Sequence, residues 1–91
     1  MSNALVGIDS VKSAQTICNG AISDLQNAAS KLQQRYQQAG AEWKDKKYEQ
    51  LGGIVNECVG AMKGPIPEMQ NCMNTLREIE RLLTEYLDTN L

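Results

Sequence analysis

The sequence predicts an all-α fold, a two-helix antiparallel hairpin that pairs with a second hairpin as a four-helix bundle dimer. Two long segments repeat apolar residues at intervals of three and four, and a short segment at residues 40–44 separates them. A chain of 91 residues is long enough for one helical domain, residues 1–91. Because a domain of this size buries only about 60–65% of the surface that its unfolded chain exposes, pairing with another chain would stabilise it.

The first helix is predicted at about residues 8–39. Gly20 lies within this segment and weakens a helix by up to about 1 kcal/mol without ending it. Two rows of residues, each with a spacing of seven, form the apolar face of the helix. One row is Val11, Cys18, Leu25, Leu32 and Ala39, and the other is Ile8, Gln15, Ile22, Ala29 and Tyr36, in which Gln15 is the polar exception.

The turn between the helices is predicted at about residues 40–44. Gly40 follows the first helix, where a glycine with left-handed backbone often helps to satisfy the last carbonyl groups. The carboxylate of Asp45 can accept hydrogen bonds from the free amides that begin the second helix, so we expect Asp45 to be its N-cap. Trp43 is placed either to cover the open end of the hairpin core or to contact a partner.

The second helix is predicted at about residues 45–89, with a kink at 63–67. Pro65 and Pro67 lack the amide hydrogen that a helix interior needs, so they interrupt its hydrogen bonds. The apolar spacing keeps the same phase on both sides, which favours a kinked helix. A chain reversal, giving a three-helix bundle, is the alternative. Two rows run along the segment: Tyr48, Val55, Met62, Met69, Leu76 and Leu83, and Leu51, Cys58, Pro65, Cys72, Ile79 and Tyr86.

These rows predict which side chains form the core between the helices and which remain for a partner. A second apolar face flanks the predicted core, and a single hairpin would leave it exposed. The predicted hairpin core consists of Val11, Cys18, Leu25, Leu32, Leu51, Val55, Cys58, Met62, Met69, Cys72, Leu76, Ile79 and Leu83, and the predicted partner face of Ile54, Val59, Ile66, Met73, Leu82 and Leu87.

The composition argues against several classes of function. A net charge of −2 and a pI near 5.0 offer no basic surface for nucleic acid. No apolar run reaches the roughly eighteen residues of a membrane span, and the N-terminus lacks the basic and apolar regions of an export signal. Histidine and nucleophile–base motifs are absent, which predicts a protein that is not an enzyme and binds no cofactor.

The three cysteines, Cys18, Cys58 and Cys72, have no spacing that is typical of a metal site. A soft-metal site is the alternative, because antiparallel pairing would bring Cys18 near Met69 and Cys72, and sulfur ligands select Cu(I). Cysteine and methionine at heptad spacing are far more often plain core residues, so we expect reduced thiols and no metal.

The segment "QQAGAEWKDKKYEQL" carries a family resemblance. A helix of about thirty residues, a tight turn with tryptophan and a longer second helix resemble the WXG (Trp-X-Gly) family of small type VII secretion proteins. The motif residues here are Trp43, Lys44 and Asp45, with Asp in place of the family's glycine, followed by the aromatic residue Tyr48.

The resemblance implies a non-enzymatic helical protein that is exported folded, without a cleaved signal, as a substrate or as the companion of a larger effector. Its implied partner is itself in a homodimer, a paralogous hairpin or the helical region of that effector. Many members carry an acidic residue four positions after a C-terminal tyrosine, but Asn90 follows Tyr86 here. This departure is compatible with a subunit whose partner supplies the signal, or with a chain that shares only the hairpin. The alternative function is a cytoplasmic helical adaptor or chaperone unrelated to secretion.

Overall fold

The computed structural model describes residues 3–90, and every regular element in that range is an α-helix. The helices are α1 (Asn3–Ala39), α2 (Lys46–Lys63) and α3 (Ile66–Asn90). The prediction of an all-α hairpin is therefore confirmed. α1 begins earlier than the predicted residue 8, because the spacing of its apolar residues extends back to Ala4, which is half-buried.

Gly64 and Pro65 separate α2 from α3 and produce the predicted interruption as a bend. Gly64 keeps right-handed helical dihedrals, φ −52° and ψ −46°, and its amide donates to the carbonyl of Gly60 at 2.8 Å. Helical geometry therefore extends to Pro65, whose missing amide hydrogen interrupts the helical hydrogen bonds. Because Gly64 keeps helical dihedrals, the chain bends here and does not reverse. Pro67 lies in the first turn of α3, where amides have no partner within the helix.

The described chain divides into two compact units, each an antiparallel pair of helical segments. The turn unit is Ser23–Ile66 and pairs the later part of α1 with α2. The terminal unit consists, among the described residues, of 3–22 and 67–90, and pairs the earlier part of α1 with α3.

The turn unit has a small aliphatic core. Ala29, Val55 and Val59 are buried, with Ala29 fully inaccessible. Around them pack the half-buried side chains of Leu32, Tyr36, Leu51 and Met62.

The terminal unit has a core of mixed character. Ile8, Ile22 and Met73 are its buried apolar side chains. Gln15 Nε2 donates to Glu80 Oε1 at 2.7 Å, so the polar exception of α1 meets a polar exception of α3. Half-buried residues complete this core: Val11, Cys18, Met69, Leu76, Leu83 and Leu87.

One of the two rows predicted for the second helix is displaced by one residue. The row that starts at Tyr48 is buried or half-buried throughout, as predicted. The second inward row starts at Gly52 rather than Leu51. Leu51 lies three residues after Tyr48 and Gly52 four, so the two residues flank the Tyr48 row on opposite sides, and the side with Gly52 faces α1. Its members are Gly52, Val59, Ile66, Met73, Glu80 and Leu87, of which the first four are buried and the last two half-buried.

The displaced row corrects several predicted roles. Cys58 and Cys72 are exposed and Ile79 is 40% exposed, so placing them in the hairpin core was wrong. Val59, Ile66 and Met73 were assigned to a partner face but are buried within the chain itself. The reason is that Gly52 and Glu80 interrupt the true inward row, and hydrophobic periodicity therefore favoured its unbroken neighbour. Of the predicted partner face, Ile54 and Leu82 are exposed and Leu87 is half-buried.

Candidate functional site

Tyr36 and Tyr48 lock the turn that joins α1 to α2. Their rings are stacked, with centroids 4.3 Å apart and planes within 5°. The hydroxyl of Tyr48 donates to the carbonyl of Tyr36 at 2.8 Å, and the hydroxyl of Tyr36 donates to the carbonyl of Tyr48 at 3.2 Å. Desolvation, and then the contact with Tyr48, raises the pKa of the Tyr36 phenol above its ordinary value. This reciprocal arrangement joins the end of one helix to the start of the next.

Two glycines make room for the stacked rings. A Cβ at Gly40 would lie 2.7 Å from Cζ of Tyr48, and a Cβ at Gly52 would lie 2.9 Å from Cζ of Tyr36. Neither glycine has a positive φ, so the left-handed backbone expected at Gly40 was wrong. A glycine is needed at position 40 because the ring of Tyr48 occupies the space that a Cβ would fill. Tyr48 lies eight residues later in the chain, so no local sequence pattern indicates this contact.

Asp45 connects the turn to α2. Its Oδ1 accepts hydrogen bonds from the amides of Lys47 and Tyr48 at 2.9 and 3.1 Å, so the predicted N-cap is confirmed. The hydrogen bond from the Trp43 side chain is the largest cause that lowers the pKa of Asp45, and the two amides add to it. The carboxylate thus caps the first turn of α2, which a glycine at this position could not do.

Trp43 is packed on one side and open on the other. Its ring is tilted by 57° against Tyr48, with centroids 5.7 Å apart, and the residue is 39% exposed. The indole therefore covers the aromatic pair and also presents apolar surface to solvent. Both roles expected of it, closing the hairpin end and offering a contact, are compatible with this position.

A second candidate surface lies on α3. Thr75 and several apolar side chains recur at intervals of three and four outside the inward rows, with Leu82 50% and Tyr86 58% exposed. Beside them Arg81 bridges Glu78 and Glu85, and these contacts lower the pKa of Glu78 and raise that of Arg81. We name this surface the outer row; it consists of Cys72, Thr75, Ile79, Leu82 and Tyr86.

The thiols are free and are not gathered into a metal site in the part of the chain that the structure describes. Cys58 and Cys72 are exposed, and the half-buried Cys18 donates its S–H to the carbonyl of Met69 at 3.6 Å. No group of three or more Cys, Asp or Glu side chains within residues 3–90 is placed to hold a metal ion. In the same range, no helix has the length and apolar character needed to cross a membrane.

Comparison with known proteins gives no match. No family model, no curated protein and no solved structure is significantly similar to this chain.

Proposed function

We propose that the protein is a non-enzymatic helical interaction protein that resembles the WXG proteins of type VII secretion. It acts as a secreted substrate or as the companion of a larger secreted effector. The observation that carries the proposal is the outer row of α3, because a helix that buries one apolar seam within its own chain presents a second seam at the same heptad spacing. The occupant that we propose for this seam is a second copy of the chain.

The exposed area supports a partner of this size. The chain exposes 6782 Å² of surface, whereas a monomeric protein of 10.0 kDa exposes about 5,200 Å² on average. Over two copies the excess of about 1,500 Å² per chain comes to about 3,000 Å², which lies in the range of total area that obligate homodimers bury. The buried core is also small for 91 residues, with Ala29 as its one fully inaccessible member in the described range.

α1 provides a matching surface beside the outer row. Helical periodicity places the half-buried residues Gly7, Ala14 and Ala21 on the same side of the terminal unit as the outer row. A Cβ at Gly7 would lie only 3.3 Å from Cδ1 of Leu83, so the two helices approach closely there. Small residues on one helix beside large apolar residues on the other form a groove that a further helix can fill.

The turn supports the secretion version of the proposal. Trp43 and Tyr48, the residues that carry the WXG resemblance, lie together at the junction of the helices, and Asp45 caps the helix that follows. Asn90 stands where the family's tail signal has an acidic residue after Tyr86. We therefore favour a companion that leaves the cell together with a signal-bearing partner.

The first experiment measures the molar mass of the purified protein in solution by sedimentation equilibrium across a dilution series. We expect a dimer that Leu82→Glu and Ile79→Glu convert to a helical monomer, because each places a carboxylate in the seam. The matched control is Gln70→Glu, which adds the same charge at an exposed position of α3 outside the outer row. A monomer at all concentrations, or a dimer that tolerates both seam variants, would contradict the homodimer.

Secretion is tested separately in the source cell. Co-expression with the native partner should bring the tagged protein into the medium without lysis, and deletion of the type VII ATPase should retain it. Retention in both strains would reject the secretion version and support the cytoplasmic adaptor or chaperone.

A further inference from the structure

A polar groove lies in the terminal unit between α1 and α3. Helical periodicity places it on the side opposite the outer row. Its floor is the buried pair Ile22 and Met73, and its rim is formed by exposed side chains. The rim consists of three amides and one guanidinium, Asn19, Gln70, Asn74 and Arg77.

Arg77 has no carboxylate partner within the described chain. On a helix its neighbours at three and four positions are Met73, Asn74, Glu80 and Arg81, so Glu80 is the one acid within reach. Glu80 instead accepts a hydrogen bond from Gln15 on the inward side of the pair. Arg77 donates one hydrogen bond, to Oδ1 of Asn74 at 3.2 Å, which orients the guanidinium and leaves its other N–H groups open to the groove.

The absence of acids at this rim contrasts with the rest of the terminal unit. By sequence the unit carries six carboxylates against three cations, Lys12, Arg77 and Arg81. Arg81 forms ion pairs with both Glu78 and Glu85. In an acidic unit, the guanidinium of Arg77 is therefore surrounded by amides, whose N–H groups are also donors.

We infer that this groove is a docking site for a carboxylate side chain on an acidic helix of a partner protein. A guanidinium flanked by amide donors matches a carboxylate, which accepts two N–H groups from Arg and further bonds from amides. Gln70, Asn74 and Arg77 follow each other at intervals of four and three along α3, so donors repeat once per turn beside the groove. A helix with glutamates one turn apart would meet them in succession.

This inference does not rest on the proposed function. The groove and the outer row lie on opposite sides of the terminal unit, so a helix in the groove is not the chain that covers the outer row. Failure of the homodimer would leave the groove intact, and failure of the groove would leave the homodimer intact.

The test is a nuclear magnetic resonance titration of the full chain with two alanine-based helical peptides, which carry a row of either glutamates or glutamines. With the glutamate peptide we expect shifts of the side-chain N–H signals of Asn19, Gln70, Asn74 and Arg77. Arg77→Gln should weaken the binding about tenfold or more, as expected for the loss of a charge-assisted bidentate contact. Arg35→Gln is the matched control, because it removes the same charge from an exposed position in the turn unit.

Four outcomes would overturn the inference. The first is the absence of shifts with the glutamate peptide, and the second is equal shifts with the glutamine peptide. The third is equal weakening of binding by Arg35→Gln, which would indicate a general effect of charge. The fourth is a matching response to sodium acetate at the same concentration, because the groove would then select a free carboxylate ion and not a helix.

Discussion

The two units of this chain use the same helical pairing but hold it in different ways. The turn unit combines an aliphatic core with a stacked and reciprocally hydrogen-bonded tyrosine pair, and two glycines fit those rings closely. The terminal unit has two methionines in its core, a half-buried polar pair and two exposed surfaces, the outer row and the Arg77 groove. The turn unit therefore has its geometry fixed by its own side chains, whereas the terminal unit exposes apolar and polar surfaces that a partner can bind.

The largest effect should come from a charge in the core of the terminal unit. Met73→Glu would bury a carboxylate without a partner, and we expect it to lower the free energy of unfolding by about 3 kcal/mol or more. Asn74→Glu, one residue later and exposed, should stay within about 0.5 kcal/mol. Urea unfolding followed by circular dichroism measures both. A tolerated Met73→Glu would contradict the corrected inward row.

The polar pair gives a smaller effect that depends on its partner. Gln15→Leu leaves the half-buried Glu80 carboxylate without its hydrogen bond and should cost about 1–3 kcal/mol. Adding Glu80→Leu removes both partners and should recover most of that loss, because an apolar pair replaces a polar one. Urea unfolding of the two single variants and the double variant forms a thermodynamic cycle. If the double variant is no more stable than Gln15→Leu, the pair does not act as a unit.

Adjacent glycines in the turn unit should respond with opposite signs. A Cβ at Gly52 meets the ring of Tyr36, so Gly52→Ala should destabilise by about 1–2 kcal/mol despite the better helix propensity of alanine. At Gly53 a Cβ meets nothing within 4 Å, so Gly53→Ala should stabilise by about 0.5–1 kcal/mol. Thermal unfolding of the two variants, followed by the fluorescence of Trp43 in the same unit, measures both effects. The same sign for both variants would show that the tyrosine pair does not constrain α2.

The smallest effect is a dependence on pH at the turn. The pKa of Asp45 is lowered in the folded chain, so its stabilising contribution is complete above its ordinary pKa of 3.8 and is lost as the pH falls through the lower folded value. Asp45→Asn keeps an N-cap oxygen but does not titrate, so acid unfolding monitored at Trp43 should shift less with pH in this variant. Glu78, whose pKa is also lowered, remains in both proteins and serves as the common background. Identical acid profiles would contradict the role of Asp45.

The sequence predicted much of the fold because apolar spacing is a direct consequence of helix geometry. The two rows of α1 apart from the exposed Ala39, the row that starts at Tyr48, the interruption at Pro65 and the cap at Asp45 follow from local rules. The second inward row could not be found this way. A glycine is needed at position 52 because the ring of Tyr36 occupies the space of a Cβ. Glu80 can face inward because Gln15 donates a hydrogen bond to it. Tyr36 and Gln15 both lie on α1, so the sequence of the second helix alone does not reveal either cause.

The candidate surfaces were predicted less well for the same reason. Which apolar residues of α3 are exposed depends on which rows face α1. Because the second inward row was predicted one residue too early, buried and exposed side chains were exchanged along the helix. The Arg77 groove depends on Glu80 being engaged elsewhere, which only the paired helices reveal. Trp43, in contrast, was found by its rarity, since it is the one tryptophan of the chain.

Thiol labelling of the three cysteines, resolved by peptide mass spectrometry across a dilution series, tests both the inward rows and the proposed homodimer. At low concentration Cys58 and Cys72 should react quickly and Cys18 slowly, because the first two are exposed and Cys18 is half-buried against α3. As the concentration rises, Cys72 should become protected when a second copy covers the outer row. Fast labelling of Cys18 with slow labelling of Cys72 at every concentration would contradict both the inward rows and the binding surface that depends on them.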